Sequence, residues 1–316
     1  MTKPTITQPL VFEPIFMERV WGGRRLESLY GKRLPPAVPI GESWEIVDRP
    51  EAQSVVHQGP FRGATLHELW LEHREEIFGH VRDSLRFPLL LKLLDAQENL
   101  SLQVHPPQAI AEKVGGESKT EFWYISNAAP QGRVYAGVRK GTTRDSFLKA
   151  LEEGRVEEQL HAIQATTGDG IFLPSGRMHA LGAGIVLVEI QENSDTTYRI
   201  YDWDREKKGR VARQMHIAEA MQCVDFNDVE PGLLHAQGET LARNEFFEVE
   251  KWNLTAPREV APAGQFAIVC CLSGALRCGD VDLRPGEFFL VPASSACREL
   301  VAAQKETSLL RITIGR

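Results

Sequence analysis

Short apolar or alternating runs, separated by Gly, Pro, Asn and Asp, dominate this chain. They cover 87–94, 100–104, 121–126, 170–173, 185–191, 266–272 and 287–291. Runs of this length between turn residues predict strands. Many such strands with long excursions between them predict a β-sandwich or jelly roll. Three stretches break the pattern. Residues 65–78 carry Leu66, Leu69, Trp70 and Ile77 near helical spacing. Residues 143–160 carry Phe147, Leu148, Leu151, Val156 and Leu160, with Thr142 or Thr143 as the cap and Asp145 in the first turn. Residues 215–224 are a shorter third candidate. The expected fold is mainly β with helical insertions.

A faint internal repeat divides the chain. The segment 168–174, GDGIFLP, matches 286–292, GEFFLVP, in spacing and character. Continued without gaps, this alignment sets His179 opposite Cys297. Two related barrels would explain it, the second without the histidine. A loop-like stretch from Pro231 to Arg243 suggests the boundary, giving a larger domain over 1–235 and a smaller one over 236–316.

Composition narrows the function classes. The chain has 316 residues, 42% hydrophobic and 25% charged, with a net charge of −7. These are values for a globular protein. No long basic block points to nucleic acid. No apolar run is long enough to span a membrane, and Pro4 and Pro9 interrupt an N-terminus that lacks the apolar core of a signal peptide. The five cysteines (Cys223, Cys270, Cys271, Cys278, Cys297) show no CxxC pair. They are expected to be reduced and mostly buried, as in a cytoplasmic protein.

The chemistry concentrates in four short stretches. Gln103 and His105 lie two apart, so an extended strand projects both from one face. Glu121 and His179 follow later. An amide oxygen, two imidazoles and a carboxylate suit a divalent transition metal with positions left for substrate. Each residue alone has a plainer reading. His105 precedes a proline and fits a strand end. His179 follows the turn Pro174-Ser175-Gly176. Glu121 opens an apolar run and needs a partner, which Lys119 or an arginine could supply as well as a metal. Arg199 lies among Tyr198, Tyr201 and Trp203, either packed on aromatic faces or placed as a fixed cation for developing negative charge. Glu189 is a lone carboxylate in an apolar run, a general base or a partner for Arg199. Lys92 is a lone lysine in LLLKLLDA that either snorkels to the surface or serves an anionic ligand. With Ser101 and Lys119 it could hold a phosphate. His67, His73 and His80 are expected to face solvent. His57, His161, His216 and His235 sit in polar or loop-like contexts, and none is assigned a metal.

These motifs in this order resemble the type I mannose-6-phosphate isomerases of the short bacterial kind. The matching pieces are Trp21-Gly22-Gly23, Gly41-Glu42-Ser43-Trp44-Glu45, Leu100 to Pro106, Lys119-Thr120-Glu121 with Trp123-Tyr124, Pro174-Ser175-Gly176 leading to His179-Ala180, and Ser194 to Arg199. They span roughly residues 15 to 205. The C-terminal third matches only in general character. The resemblance implies two cupin (jelly-roll) β-sandwich domains and one zinc ion per chain. Gln103, His105, Glu121 and His179 match the family's ligands, Gln103 less firmly than the rest. Arg199 matches its catalytic arginine. Lys92, Ser101, Lys119 and Glu189 match pocket positions. After Pro106 the chain reads Pro107-Gln108 where relatives commonly carry acidic residues, a departure that touches substrate preference.

The implied reaction interconverts mannose 6-phosphate and fructose 6-phosphate through a cis-enediol(ate), in a cytoplasmic monomer or homodimer. Glu189, Lys119 or a water on the metal would shuttle the proton. Two rivals remain at this stage. One is a non-catalytic sugar-binding cupin. The other is another metal-dependent cupin enzyme, such as an iron oxygenase, because two histidines and one carboxylate also suit non-haem iron.

Overall fold

Successive side chains of a strand face opposite sides of its sheet, and this alternation positions the candidate residues. A computed structural model describes residues 6, 8–59, 61–205, 209–234 and 237–315. His235 and the expected domain boundary at 235/236 lie outside them. The N-terminal sandwich pairs a six-stranded sheet with a five-stranded one. The first runs Ile15–Gly23, Ile40–Ile46, Leu89–Ala96, Ile185–Glu192, Glu121–Ala128, Gly170–Leu173. The second runs Tyr198–Tyr201, Leu102–Val104, His179–Leu181, Arg133–Val138, Leu160–Gln164. All neighbours within both sheets are antiparallel.

The six-stranded sheet is apolar on both faces. Leu89, Leu91, Leu93, Phe122, Tyr124, Val186, Val188 and Ile190 point away from the sandwich interior. They join one core with Phe247, Ile268, Leu290 and Ile312 of the C-terminal half. Leu94, Ala96, Trp123, Ile125, Ile185 and Leu187 line the interior. Double burial explains the unbroken run LLLKLLDA, where a half-exposed strand would alternate. By the same parity Lys92, Glu121 and Glu189 face the interior. In the opposite sheet Leu102, Val104, Ala180, Tyr198 and Ile200 pack outward, so Gln103, His105, His179 and Arg199 face inward.

The C-terminal half forms a second sandwich. A five-stranded sheet runs Thr240–Arg243, Phe247–Asn253, Ser308–Ile314, Ala267–Ser273, Phe288–Val291, and a four-stranded one runs Arg258–Glu259, Glu299–Ala302, Leu276–Cys278, Val281–Leu283. The start of the chain is paired onto this half. Leu10 and Leu290 exchange two backbone hydrogen bonds, at 2.7 and 2.9 Å.

The internal repeat has a structural counterpart. Leu173 pairs with Glu121, and its repeat partner Val291 pairs with Ala267. His179 pairs with Gln103. Next to Cys297, Val260 N donates to Arg298 O at 3.0 Å, which sets Ala261 beside Cys297. The second sandwich therefore has Ala261, Ala267 and Cys297 where the first has Gln103, Glu121 and His179. Trp252, Leu276 and Phe289 fill its interior.

Several expectations need correction. The helix expected over 65–78 is two helices, Leu66–Glu72 and Arg74–Phe78, broken at His73 (φ −126°, ψ 23°). Thr65 caps the first in a reciprocal box with Glu68. The helix expected over 143–160 runs only Arg144–Glu152, capped by Thr143. Gly154, at φ 70°, ends it in the left-handed conformation, and Leu160 already belongs to a strand. The third helix is Ile217–Cys223. Strands 15–23 and 40–46 were not foreseen, nor were the short helices Arg25–Tyr30 and Gln108–Ala111. All five cysteines are free; four are buried and Cys297 is half-buried. Among the described residues no helix is long and apolar enough to cross a membrane.

Candidate metal centre

His105, Glu121 and His179 meet inside the N-terminal sandwich, with one ligand atom of each lying within 4.8 Å of the others. His105 Nε2 is 3.3 Å from Glu121 Oε1, and His179 Nε2 is 3.6 Å from Glu121 Oε2. All three are at most 1% exposed. Both imidazoles are oriented by the backbone. His105 Nδ1 donates to Thr196 O at 2.8 Å, and His179 Nδ1 donates to Arg177 O at 3.0 Å. A carbonyl only accepts, so each Nδ1 carries the proton and each Nε2 turns its lone pair to the centre.

The cluster has the unmet valences that a cation would satisfy. His105 Nε2 and both Glu121 oxygens are buried without a hydrogen-bond partner. Lys119 Nζ stands 2.8 Å from Glu121 Oε1. That contact lacks hydrogen-bond alignment, so it is an ion pair and leaves the oxygen's lone pairs unused. Burial and the Lys119 charge lower His105 to about 3, which keeps its ring neutral. Burial likewise lowers His179. Burial alone would raise Glu121, but Lys119 and His105 overcome it and hold the carboxyl well below its ordinary value. Neutral imidazoles and an ionised carboxylate are the forms that bind metal. Gln103 Nε2 lies 3.2 Å from His179 Nε2. Turning that amide over places its oxygen there instead, a choice that hydrogen bonding decides. The residues present fit a divalent metal held by two nitrogens and one or two oxygens.

A cavity of about 460 Å³ opens beside the cluster. It reaches the centre at Gln103 and Lys119, and Lys92, Ser101, Glu189 and Arg199 line it too. A larger cleft, about 740 Å³ around 302–308, holds no histidine and no buried carboxylate, so size does not mark the site.

The cavity floor is an ion network. Lys92 Nζ is 3.1 Å from Glu189 Oε2 and 3.9 Å from Glu42 Oε2. Trp123 Nε1 donates to Glu189 Oε1 at 2.7 Å. Arg19 donates twice to Glu42, at 2.9 and 3.2 Å, and Trp44 Nε1 donates at 2.6 Å. Burial would raise Glu42, yet Lys92 and Arg19 bring it to about 2. Burial would lower Lys92, yet Glu189 and Glu42 raise it. Glu189 has to share Lys92, so burial prevails and its carboxyl is raised.

Lys92 therefore does not snorkel. It is buried and engaged by two carboxylates, with its ammonium 5.3 Å from the centre of the Trp44 ring. Glu189 is paired to Lys92 and Trp123, and no contact to Arg199 is recorded among the described residues. No aromatic ring lies under the Arg199 guanidinium among those residues, and its Nε is buried without a partner. Burial, then the Arg213 charge, lowers its pKa. His67 and His73 are half-buried against Asp48 and Glu76, not solvent-facing as expected. Sequence reading left Arg19, Asp195, Arg213 and His216 of the cavity wall without a role. Arg19 carries a usable signal, two residues before the Trp21-Gly22-Gly23 match. Arg213 lies in a stretch without periodicity, and His216 at the start of the third helix candidate carries no sign of its place in the cavity.

A sandwich of antiparallel sheets enclosing a buried His/Glu/His group beside a polar, ion-lined cavity defines a metal-site cupin. Comparison narrows this. Residues 10–130 match the family model "Phosphomannose isomerase type I, catalytic domain", and residues 237–302 match "Mannose-6-phosphate isomerase, cupin domain". The mannose-6-phosphate isomerase ManA of Bacillus subtilis is 36% identical over 277 residues, 85% of this chain and 86% of the relative. A mannose-6-phosphate isomerase of Streptococcus mutans is 35% identical over 298 residues, 91% and 93% of the two chains. A crystal structure of the mannose 6-phosphate isomerase from Bacillus subtilis superposes with a TM-score of 0.85 at 32% identity, covering 98% of this chain and all of the other. The chain belongs to the type I phosphomannose isomerase family.

Proposed function

We propose that this chain interconverts mannose 6-phosphate and fructose 6-phosphate in the cavity beside His105, Glu121 and His179. The carrying observation is the juxtaposition of a buried, hydrogen-bond-deficient ligand group with Lys119, Lys92 and Glu189 in a chain of this family. The reaction moves one proton from C2 to C1 of the sugar and a second from the C2 hydroxyl to the C1 oxygen, so negative charge develops on those two oxygens in between. Gln103, His105, Glu121 and His179 would hold a divalent metal, with zinc suiting the mixed nitrogen and oxygen set. When bound, it supplies Lewis-acid charge to those oxygens.

The chain's own groups do the rest. Glu189 takes the proton from C2 and returns it to C1 as the cis-enediol(ate) collapses. Burial favours its uptake of a proton, and Trp123 and Lys92 fix its orientation. Lys92, charged throughout, is no base. Lys119 acts as a donor next to the metal group, and Arg199 adds a fixed positive charge as the enediolate forms. Ser101 joins Lys92 and Lys119 in binding the sugar. The catalytic work falls to a unit over 1–235, with 236–316 a smaller cupin without metal that covers the outer face of its six-stranded sheet. Free thiols fit a cytoplasmic setting, as a monomer or homodimer. The test is formation of fructose 6-phosphate from mannose 6-phosphate by the wild type and by Glu189→Gln. The variant keeps its metal and loses turnover if Glu189 is the base; retained turnover would assign the proton transfer elsewhere.

A further inference from the structure

The second sandwich has a thiol where the first has a metal-group histidine, and a second thiol stands beside it. Cys297 occupies the repeat position of His179. Its side chain packs against the interior cluster of Trp252, Leu276 and Phe289, to which Cys278 also belongs. The two residues are nineteen apart in sequence, and their sulfurs lie 4.0 Å from each other. The other cysteines are placed differently. Cys223 belongs to the first sandwich. Cys270 and Cys271 are neighbours on one strand and turn to opposite faces of it, Cys270 into the core shared by both halves and Cys271 into the second sandwich.

The pair joins two different pieces of backbone. Cys278 ends the strand Leu276–Cys278 and pairs with Val281 across a hairpin. Cys297 lies in the irregular segment between the strands Phe288–Val291 and Glu299–Ala302. A disulfide needs its sulfurs about 2 Å apart, so each side chain has to give by only about 1 Å. Access is unequal. Cys278 is fully buried and Cys297 half-buried, so a small oxidant meets Cys297 first. The irregular segment is also where the two halves hold each other. Ala293 N donates to Ile77 O at 2.8 Å, Ser294 N to Glu76 O at 3.1 Å, and Ala296 N to Ile6 O at 2.9 Å.

We infer that Cys278 and Cys297 form a reversible disulfide when the protein meets a peroxide, and that this bond clamps the segment joining the two sandwiches. The Cys297 thiolate attacks one peroxide oxygen, the O–O bond breaks, and the other oxygen takes up a proton and leaves as water. Cys297 is then a sulfenic acid. The Cys278 sulfur gives up its proton and attacks the Cys297 sulfur; the S–O bond breaks and a second water leaves. Two thiols lose two electrons and two protons, and one peroxide becomes two waters. Burial, then the neighbouring Cys297 sulfur, pushes the Cys278 thiol up to about 12, which makes the second step the slow one. Small thiols reverse the bond, as the reducing setting proposed above requires. The catalytic cavity is lined by residues of the first sandwich alone, so its chemistry is left unchanged. The inference does not depend on the reaction proposed above.

The test counts free thiols in unfolded, alkylated protein before and after treatment of the native chain with a small excess of hydrogen peroxide. In the wild type the count falls from five to three. The segment carrying both Cys278 and Cys297 loses the mass of two hydrogens, and dithiothreitol restores it. The midpoint of thermal unfolding rises by about 3–5 °C, because the bond closes a loop of the unfolded chain. Turnover of mannose 6-phosphate, measured alongside, does not change. Cys297→Ser keeps its four thiols and its midpoint under the same treatment, and so does Cys278→Ser; if Cys278→Ser does not fold, Cys297→Ser decides. Five thiols after treatment, a bond to another cysteine, or oxidation of Cys297 without the two-hydrogen loss would overturn the disulfide. A bond that forms but lowers the midpoint, or that changes turnover, would overturn the clamp.

Discussion

Replacing Lys92 by methionine tests the buried ion network directly. The lysine ammonium lies 3.1 Å from Glu189 Oε2, and each side chain is 4% exposed. Removing one partner of such a pair costs about 3–5 kcal/mol if the other stays charged. Glu189 has an escape, because it can take up a proton. From its ordinary value of 4.5, keeping it neutral at pH 7 costs about 3.4 kcal/mol, at about 1.4 kcal/mol per pH unit. The Glu189 part of the loss in Lys92→Met is therefore at most about 3 kcal/mol at pH 7, because the wild-type carboxyl is already raised and carries part of that cost, and it shrinks toward pH 4.5. The sign follows from a folded-state pKa raised above the unfolded one. Such a group stabilises fully below the unfolded value, and that contribution is lost as pH rises toward the folded value. Glu42 keeps Arg19 and Trp44 as partners but loses the larger of the two charges that lower it, and that part of the loss persists in any variant without Lys92. Denaturant unfolding of the metal-loaded protein at pH 5.5, 7 and 8 gives the numbers. Lys92→Met/Glu189→Gln should recover the part of the loss due to Glu189, since neutral replacement of both partners of a buried pair is nearly neutral, and should keep the part due to Glu42. A single-variant loss below about 1 kcal/mol at pH 8, or one that does not change with pH, would refute the reasoning.

Arg199→Ala should lower kcat by about 100-fold or more while metal content stays near wild type; a near-wild-type kcat would remove its role. His179→Ala should lose metal affinity by more than about 100-fold, read by metal analysis after dialysis, and lose activity with it; a metal-replete inactive variant would contradict the ligand assignment. Glu42→Gln should flatten acid denaturation. The wild-type carboxyl is held at about 2, below its ordinary 4.5, so its stabilisation is present above pH 4.5 and lost as pH falls toward 2, of order 3 kcal/mol in all. An unchanged slope of stability between pH 4.5 and 2.5 would show that Glu42 is not held in this way.

Much of this molecule was legible in its sequence, for stateable reasons. The strand segments around 87–94, 121–126 and 185–191 stood out because apolar side chains are buried on both faces of that sheet. The same double burial isolated Lys92 and Glu189 as charges in apolar runs, and parity placed Gln103 and His105 on one face. What sequence could not supply was partnership. Lys92 read as a cation suited to phosphate, yet it is engaged by Glu189 and Glu42, both distant in sequence, whereas the Lys119–Glu121 pair, two residues apart, was among the partners the sequence offered. Strand 40–46 buries Glu42 on the cavity face and Glu45 on the opposite face and shows no alternation, because Arg19 and Lys32 satisfy them from other elements. His216 precedes a seven-residue helix, and only the backbone pairing to Arg199 brings it to the cavity. The single long helix expected over 65–78 failed at His73, where apolar spacing continues but the backbone turns.

The most direct measurement is a coupled assay of purified protein converting mannose 6-phosphate to fructose 6-phosphate, before EDTA, after EDTA, and after zinc is restored. A metal-dependent isomerase turns over, stops on chelation and recovers with zinc. Unchanged turnover after the metal is shown to be gone, or no turnover in a folded sample with metal bound, would contradict a metal-dependent isomerase centred on His105, Glu121 and His179.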